Sequence, residues 1–329
     1  MLRGTRILVT GGAGYIGSHA VKRLCDLGVA VTVVDSLLIG HRAAVDPRAR
    51  FVRADVRDRA ALDALLAEQP VDAAVHFAAL ALVGESVREA ERYHDVNVNG
   101  TRTLGEALAA AGTRALVLSS TAATYGDDVP TPISEDQPLR PCNPYGASKV
   151  AAERALRAIE GLRSIALRYF NAAGAWPDGS IGEDHAPETH LIPLAIAAGL
   201  GRRDPLTVFG TDWPTPDGTC VRDYVHVVDL VEAHVLALQR LLDGAESDAI
   251  NLGTGQGSSV REVLVSVGRA IGTPVPATDG PRRDGDPPTL VASNSRARER
   301  LGWTPRRDLD AIVRDALRWH RSHPEGYPD

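Results

Sequence analysis

The sequence almost lacks lysine. Of its 36 basic residues only Lys22 and Lys149 are lysines, and the other 34 are arginines. An arginine guanidinium keeps its charge, whereas the pKa of a lysine ammonium shifts readily on burial. A lysine in this chain is therefore a candidate for chemistry. We expect Lys22 to be a solvated residue of a surface helix, which leaves Lys149 as that candidate.

Cysteine is scarce in the sequence, and long apolar runs and basic tracts are absent from it. Cys25, Cys142 and Cys220 are odd in number and far apart, which fits neither a disulfide framework nor a metal-ligand spacing. We therefore expect no metal and a reducing, cytoplasmic location. No apolar run approaches the ~18 residues of a membrane span, and a strand predicted from Ile7 leaves no room for a signal peptide. The net charge of −6 argues against nucleic acid or anionic membrane as the partner.

The first half of the chain alternates short apolar segments with helical patterns. The length of 329 residues suits about two domains. We predict strands at residues 7–10, 29–35, 50–54, 73–77, 115–119 and 164–169 and helices at residues 17–27, 59–68, 97–111 and 144–160. This alternation indicates the α/β class, with a Rossmann-type, doubly wound parallel sheet.

The second half is rich in turn residues. Glycine, proline and aspartate are frequent in residues 172–220 and 273–290, which indicates long loops that build a binding surface. Residues 223–241 read as a strand and a helix that return to the first sheet. We therefore predict a dinucleotide-binding domain of residues 1–171 and 222–254, interleaved with a smaller α/β substrate domain of residues 172–221 and 255–329.

A glycine-rich turn follows the first predicted strand. Gly11, Gly14 and Gly17 lie between that strand and a helix, with Tyr15 and Ile16 at the helix start. Such a turn brings the backbone close to a pyrophosphate, although a tight turn without a ligand also uses glycines. Asp35, 18 residues beyond Gly17, is placed to bind ribose hydroxyls. Ser36 follows it instead of an arginine, which favours NAD over NADP.

Later strand ends add further candidates for cofactor contacts. They are Asp55 and Val56 towards the adenine, and Phe77, Ala78 and Ala79 where small residues let the cofactor lie against the backbone. Ordinary turn chemistry is the alternative explanation for each of them.

Tyr145 and Lys149 lie one helical turn apart on the same face of a predicted helix. We expect the ammonium of Lys149 and a positive nicotinamide ring to lower the pKa of Tyr145, which is ordinarily near 10. Thr121 follows the fifth predicted strand, and we expect its hydroxyl to point towards the reaction centre at Tyr145. We expect the hydroxyls of Ser119 and Ser120 to cap the local backbone instead.

These motifs together resemble the extended short-chain dehydrogenase/reductase family, and in particular its members that epimerise UDP-sugars. The resemblance spans the whole chain and is carried by residues 10–17, 76–79, 83–86, 97–101, 145–149, 167–171, 218–226, 251–253, 282–286 and 323–329. It implies NAD-dependent interconversion of UDP-glucose and UDP-galactose at carbon 4, through a transient 4-keto sugar, in galactose metabolism.

The resemblance also implies roles for individual residues. Tyr145 takes the proton of the sugar's 4-hydroxyl, Lys149 holds the nicotinamide ribose, and Thr121 matches the catalytic serine or threonine. Phe170 adds a cofactor contact. The remaining contacts of the UDP-sugar are Asn171, Arg222 and Arg283 at the diphosphate, Asp286 at a ribose, Phe209 at the uracil, and His190, Leu191 and Leu290 near the sugar.

The chain departs from the family pattern at several positions. Ala81 and Val96 replace a lysine and an asparagine that contact the cofactor in relatives. Leu290 replaces a tyrosine that narrows the sugar pocket, so we expect N-acetylated UDP-sugars to be accepted as well.

Three other kinds of function are alternatives to this epimerisation. Ala122 and Ala123 occupy the positions where a 4,6-dehydratase needs an acidic pair, which argues against dehydration. Epimerisation of UDP-N-acetylglucosamine or UDP-glucuronate remains an alternative, as does a non-catalytic NAD-binding sensor.

The resemblance further implies a homodimer, for which we expect exposed apolar faces bearing Leu104, Leu108, Leu156 and Ile159.

Overall fold

The computed structural model describes residues 2–127, 129–283 and 285–328, so Asp284 and Asp329 of the two C-terminal motifs lie outside the described residues. The strands are β1 Arg6–Thr10, β2 Ala30–Asp35, β3 Arg50–Arg53, β4 Ala73–His76, β5 Ala115–Thr121, β6 Arg163–Tyr169, β7 Asn171–Ala173, β8 Leu206–Phe209, β9 Val221–Arg222, β10 Tyr224–His226, β11 Asp248–Leu252, β12 Ser258–Ser259, β13 Ala277–Gly280 and β14 Thr289–Leu290. The helices are α1 Tyr15–Asp26, α2 Arg59–Glu68, α3 Val83–Arg88, α4 Ala90–His94, α5 Gly100–Ala110, α6 Pro144–Arg157, α7 Leu191–Gly199, α8 Val227–Leu242, α9 Val260–Ile271, α10 Ser295–Leu301 and α11 Leu309–Ser322. Within the described ranges, no helix has the length and apolar character needed to cross a membrane.

The main sheet has seven parallel strands in the order β3-β2-β1-β4-β5-β6-β11. This arrangement confirms the predicted doubly wound sheet. The chain runs outward from β1 to β3 and then returns to β4 on the other side of β1, so the strand order reverses between β1 and β4. Ligands of such sheets bind at the carboxyl ends of the strands beside this reversal.

Helices cover both faces of the sheet. One apolar cluster joins the sheet to α1 and α8, and a second joins it to α2, α5 and α6. Leu104 and Leu108 are fully buried in the second cluster, and Leu156 is 1% exposed. The prediction that they form an exposed face was therefore wrong, because the single apolar stripe of each helix is used against the sheet. Ile159 is half-buried beside them.

A third apolar cluster lies outside the sheet. It is formed mainly by α7, α9 and α11, with Ile196, Val267 and Leu317 among its members. These helices come from the two segments that we predict to form the smaller domain. However, Leu301 and Trp303 pack in the first cluster, and the Trp303 Nε1–H donates to the carbonyl of Asp229 at 2.8 Å. The predicted domain boundaries stay a prediction, and this contact favours assigning α10 to the sheet domain.

The turn between β1 and α1 is closed by backbone contacts. A Cβ on Gly17 would lie 2.0 Å from the carbonyl oxygen of Gly11. Gly11 itself has a positive φ of 71°, and a Cβ there would lie 2.4 Å from the backbone nitrogen of Ala78. Side chains are excluded at both positions by backbone atoms, which cannot move aside as a flexible side chain would.

Gly17→Ala should therefore lower the free energy of unfolding by about 1–3 kcal/mol, the usual cost of forcing an atom into a packed site. Gly84→Ala is the matched control, because a Cβ at Gly84 in α3 meets nothing within 4 Å. Denaturant unfolding of the two variants checks the difference. Equal unfolding midpoints for both would contradict the steric explanation.

Candidate active site

The start of α1 offers a site for an anion. Gly14 is the N-cap residue, its cap makes no side-chain hydrogen bond, and the first turn of α1 carries no acidic residue. The first N–H groups of a helix have no intrahelical acceptor, and the helix dipole places positive charge there. The main-chain N–H groups of Tyr15, Ile16 and Gly17 therefore fit the diphosphate of a dinucleotide, whereas the N–H of Gly14 already donates to the carbonyl of Gly11 at 3.2 Å. The side chain of Tyr15 is used elsewhere, because its hydroxyl donates to the carbonyl of Gly174 at 2.6 Å.

Asp35 holds the same turn from the end of β2. Its buried carboxylate accepts the N–H of Ala13 at 2.9 Å and the N–H of Leu37 at 2.8 Å. Leu37 has a φ of 58°, which is a left-handed conformation that a leucine rarely adopts. Each carboxylate oxygen keeps a lone pair for a further donor such as a ribose hydroxyl, and that contact stays a prediction. The Oγ of Ser36 accepts the N–H of Leu38 at 3.4 Å.

The residues after β3 and β4 are arranged less simply. The carboxylate of Asp55 accepts three N–H groups of Arg57, and this arginine holds the pKa of Asp55 below its ordinary value. Val56 is buried. The Phe77 ring packs against His234, with the ring centroids 4.8 Å apart, while Ala78 lies against Gly11 through the backbone. Contacts of Asp55, Val56, Phe77, Ala78 and Ala79 with a cofactor stay predictions.

The three predicted catalytic residues come together at the end of β5 and the start of α6. Helix α6 is capped by Asn143, whose Oδ1 accepts the N–H of Gly146 at 2.8 Å. Tyr145 lies in the first turn, near enough to Thr121 for that hydroxyl to oppose the effect of burial on the pKa of the phenol. One turn further on, the buried Nζ of Lys149 donates to the carbonyl of Ser119 at 3.1 Å.

The predicted effect of Lys149 on Tyr145 is wrong for the groups that the chain itself supplies. Burial raises the pKa of Tyr145, and among the described residues only the hydroxyl of Thr121 opposes this shift. Burial also lowers the pKa of Lys149 to about 8, and the charge of Glu153 opposes that shift. The lysine ammonium is directed to a carbonyl oxygen instead of the phenol, which explains the difference.

The two lysines differ as expected in burial, but Lys22 is not fully solvated. It is half-buried, and its Nζ lies 5.2 Å from the centroid of the Trp176 ring. This cation–π contact corrects the prediction that Lys22 is a plain surface residue.

The hydroxyls after Leu118 differ from the prediction in which of them caps the local backbone. The Oγ of Ser119 pairs with the hydroxyl of Tyr169, and the Oγ of Ser120 donates to Glu153 at 2.6 Å. Thr121, in contrast, accepts the backbone N–H of Ala123 at 3.2 Å. Local capping is therefore found at Thr121 and not at Ser119 or Ser120, because the serine side chains point to buried polar partners on β6 and α6.

Sequence reasoning missed a buried ion pair behind the catalytic residues. Glu153 of α6 and Arg168 of β6 are 4% and 3% exposed. Two guanidinium nitrogens of Arg168 donate to the two carboxylate oxygens at 2.9 and 2.5 Å. A third donates to the hydroxyl of Tyr125 at 2.9 Å, which in turn donates to Asn251 at 2.7 Å. No local sequence signal links two residues on separate elements.

Asn97 connects the exit of β4 to α6. Its side-chain oxygen accepts the N–H of Leu80 at 2.8 Å. Its side-chain nitrogen donates to the carbonyl of Leu80 at 3.0 Å and to the Oγ of Ser148 at 2.9 Å. Because Ser148 precedes Lys149, this amide fixes the loop after β4 against the helix that carries the candidate catalytic residues.

A second group of predicted residues gathers in the smaller domain. The carboxylate of Asp286 lies 3.5 Å from Nη2 of Arg222 and 3.0 Å from Nε of Arg283. The Arg283 guanidinium lies 4.9 Å from the centroid of the Phe209 ring, which is 41% exposed. Leu290 is the register partner of Arg222 between β14 and β9. Two arginine forks beside an exposed aromatic ring suit a nucleoside diphosphate.

The remaining predicted residues lie directly after β6 and at the start of α7. Asn171 and the half-buried Phe170 directly follow β6, whose Tyr169 pairs in register with Thr121. The side-chain nitrogen of Asn171 donates to the carbonyl of Asp223 at 3.2 Å. Leu191 begins α7 and packs at the edge of the third cluster.

His190 has partners that the sequence reading did not anticipate. Partial desolvation lowers the pKa of this exposed histidine, but the nearby carboxylate of Glu183 outweighs that effect and raises the pKa to about 9. His185 and Glu188 complete this group. The repeated glutamate and histidine spacing of residues 183–190 is the signal that could have found it.

The fold and the site define a dinucleotide-dependent enzyme of the doubly wound α/β class. The model of the NAD dependent epimerase/dehydratase family matches residues 7–253, and the chain belongs to this family.

Individual relatives are similar over nearly the whole chain. UDP-glucose 4-epimerase of Lacticaseibacillus casei is 51% identical over 327 residues, which is 98% of this chain and 99% of that protein. The crystal structure of UDP-glucose 4-epimerase from Brucella ovis in complex with NAD has a TM-score of 0.93 and 47% identity, covering 95% of this chain and 98% of that one. The UDP-Glc/GlcNAc 4-epimerase of Campylobacter jejuni has a TM-score of 0.85 and 37% identity, covering 97% of this chain and all of that one (100%).

Replacing one member of the buried ion pair should destabilise the protein strongly. Glu153→Gln leaves the Arg168 guanidinium buried without its countercharge, so the free energy of unfolding should fall by about 3–5 kcal/mol. Denaturant unfolding measures this change.

Two further variants separate the lost charge from lost packing. Glu160→Gln removes an exposed glutamate just beyond α6 and should be nearly neutral. Glu153→Gln combined with Arg168→Met removes both charges and should recover much of the loss. A double variant that is no more stable than Glu153→Gln alone would refute the ion-pair explanation.

Proposed function

We propose that this chain interconverts UDP-glucose and UDP-galactose by epimerisation at carbon 4 with NAD. The proposal is carried by one observation, the meeting of Tyr145, Thr121 and Lys149 at the carboxyl end of the sheet. The glycine turn at α1 and the arginine group in the smaller domain suit the two nucleotides that such a reaction needs. The names of the relatives supply the substrate.

The residues of the chain divide the work of the reaction. NAD, when bound, supplies a reversible hydride acceptor for carbon 4. Tyr145 accepts the proton of the 4-hydroxyl and later returns it, and the hydroxyl of Thr121 orients that exchange. Lys149 holds the nicotinamide ribose, while Arg222 and Arg283 hold the diphosphate.

Dehydration of the sugar is disfavoured by the same site. It requires an acid and a base beside Thr121, where the chain has Ala122 and Ala123 in a short 3₁₀ turn. A non-catalytic sensor is disfavoured because the chain keeps Tyr145, Thr121 and Lys149 together, and a protein without turnover does not need a proton acceptor there.

The first experiment is proton NMR of the purified protein with UDP-galactose and no added cofactor. We expect UDP-glucose to grow to an equilibrium mixture. Tyr145→Phe should lower turnover by about 10²–10⁴-fold, because it removes the proton acceptor, while protein-bound NAD is retained. Bound NAD is measured by its absorbance after release.

The two lysines provide a matched control for this experiment. Lys149→Met should lose turnover, whereas Lys22→Met should keep it within a few-fold of the native protein. The proposed reaction would be rejected if Tyr145→Phe turned over like the native protein. It would also be rejected if the native protein formed no product from UDP-galactose, either without or with added NAD.

We also propose that N-acetylated UDP-sugars are substrates, because the half-buried Leu290 lies beside Arg222 where relatives narrow the sugar site with a tyrosine. Leu290→Tyr should lower turnover of UDP-N-acetylgalactosamine at least about tenfold, which is the range for steric exclusion of a small group, and leave UDP-galactose within a few-fold. Competing NMR assays with both sugars measure the ratio.

Leu290→Met controls for the substitution itself, since it conserves volume and should change neither rate much. Absence of product from UDP-N-acetylgalactosamine at high concentration of the native protein would count against this substrate.

The assembly and location are part of the same proposal. We propose a homodimer in the cytoplasm. Val83 and Val87 of α3 are 45% and 64% exposed and lie beside α6, so they are apolar residues available to a second copy at that helix. Cys25, Cys142 and Cys220 are all free, in keeping with a reducing compartment.

A further inference from the structure

Four side chains with metal-ligand chemistry converge in one short segment. Glu183, His185, Glu188 and His190 occur within eight residues between β7 and α7. One ligand atom from each lies within 4.8 Å of the others. We call these four residues the Glu/His cluster. None of the roles proposed above for the reaction requires more than His190 of this group.

Glu183 forms the buried base of the cluster. Its side chain is 3% exposed, and one carboxylate oxygen faces the Nδ1 atoms of both histidines. The distance to His185 is 3.4 Å, and the contact with His190 is shorter. A buried carboxylate needs compensating positive charge. Within the described part of the chain, its recorded ion pairs are only with these two histidines.

The second carboxylate is held in place by the backbone. One oxygen of Glu188 accepts the N–H groups of Thr189 and His190 at 2.6 and 2.8 Å. The other oxygen lies 3.6 Å from Nδ1 of His185 and remains directed into the cluster. The second oxygen of Glu188 is therefore already in position to bind an ion, and the backbone of this segment does not have to rearrange.

The surrounding residues leave the cluster to itself. Asp184 is turned away, since its carboxylate accepts the N–H of Tyr327 at 2.8 Å and lies 3.5 Å from Nε2 of His41. The Tyr15 ring packs edge-on against His185, with the ring centroids 6.2 Å apart. Tyr15 and the tail residue Tyr327 thus fix the segment from both sides.

We propose that the Glu/His cluster binds one divalent transition-metal ion of the Zn²⁺ type. Two imidazole nitrogens and two carboxylate oxygens form a four-donor set that Zn²⁺ accepts, at bond lengths of about 2.0–2.2 Å. Donor atoms that already lie within 4.8 Å of one another need only side-chain rotations to reach such distances. The ion replaces the protons shared between histidines and carboxylates.

A bound ion would tie the loop before α7 to a single geometry. His190 and Leu191 end this loop, and both are proposed sugar contacts. The ion therefore acts as a structural clamp beside the substrate site, and binding should raise the thermal unfolding temperature through linkage. The proposal does not depend on the proposed reaction, because metal binding is measured without substrate.

The test uses the full-length protein with its retained cofactor, treated with a chelator and dialysed. Co²⁺ is titrated while visible absorption is recorded, and Zn²⁺ is then added to displace it. We expect one equivalent of Co²⁺ per chain, a d–d absorption band typical of low coordination, and complete displacement by Zn²⁺. His185→Gln and His190→Gln should each weaken binding at least tenfold.

His94→Gln is the matched control, since His94 is an exposed histidine on α4, and it should bind like the native protein. Circular dichroism of each variant verifies folding, and the exposed His190 keeps the test informative if His185→Gln does not fold. The proposal would be overturned if the native protein failed to bind one equivalent of Co²⁺, or if His185→Gln bound Co²⁺ as well as the native protein. The four side chains would then only form ion pairs with one another.

Discussion

The buried ion pair between Glu153 and Arg168 is the interaction on which the rest of the site depends. It joins α6 to β6, and Ser120 of β5 donates to the same carboxylate. Through Tyr125 and Asn251 the network continues to β11, whose backbone N–H at Asn251 donates to Glu135. Three strands and one helix are thereby held in one register.

That register decides where the chemistry lies. Because α6 is fixed to the sheet, its first turn brings Tyr145 to Thr121 at the end of β5, and Lys149 reaches the carbonyl of Ser119 one turn further on. The next strand leads directly to Asn171, which meets the carbonyl of Asp223. The ion pair on the α6 side of the sheet therefore also sets the path of the chain beyond β6.

The fold was predictable from the sequence because its signals are local. Buried parallel strands are short apolar runs, and the glycines at 11 and 17 are dictated by backbone contacts, so the sheet and its first turn could be read residue by residue. Leu104 and Leu156 show the limit of that reading. An apolar stripe reveals that a face is buried, but not whether a sheet or a second copy covers it.

The candidate site was predictable in its members but not in its electrostatics. Tyr145, Thr121 and Lys149 follow from motif spacing, whereas the direction of an ammonium or of a serine hydroxyl depends on partners from distant elements. Ser119 and Ser120 turn to Tyr169 and Glu153 because β6 and α6 place those groups there. The Glu/His cluster was missed because cysteine spacing alone was used to judge metal binding.

The pKa of Tyr145 links its chemistry to the occupancy of the site. Burial raises that pKa, and Lys149 donates its hydrogen bond to the carbonyl of Ser119 instead of the phenol. The described residues alone therefore favour the neutral phenol. A tyrosine of this kind is a weak proton acceptor near neutral pH. Removal of a proton from the sugar hydroxyl then requires positive charge that arrives with a ligand, and an oxidised nicotinamide carries such a charge. An oxidised nicotinamide bound beside Tyr145 would therefore favour the phenolate, so that proton transfer and hydride acceptance would be favoured in the same state of the cofactor.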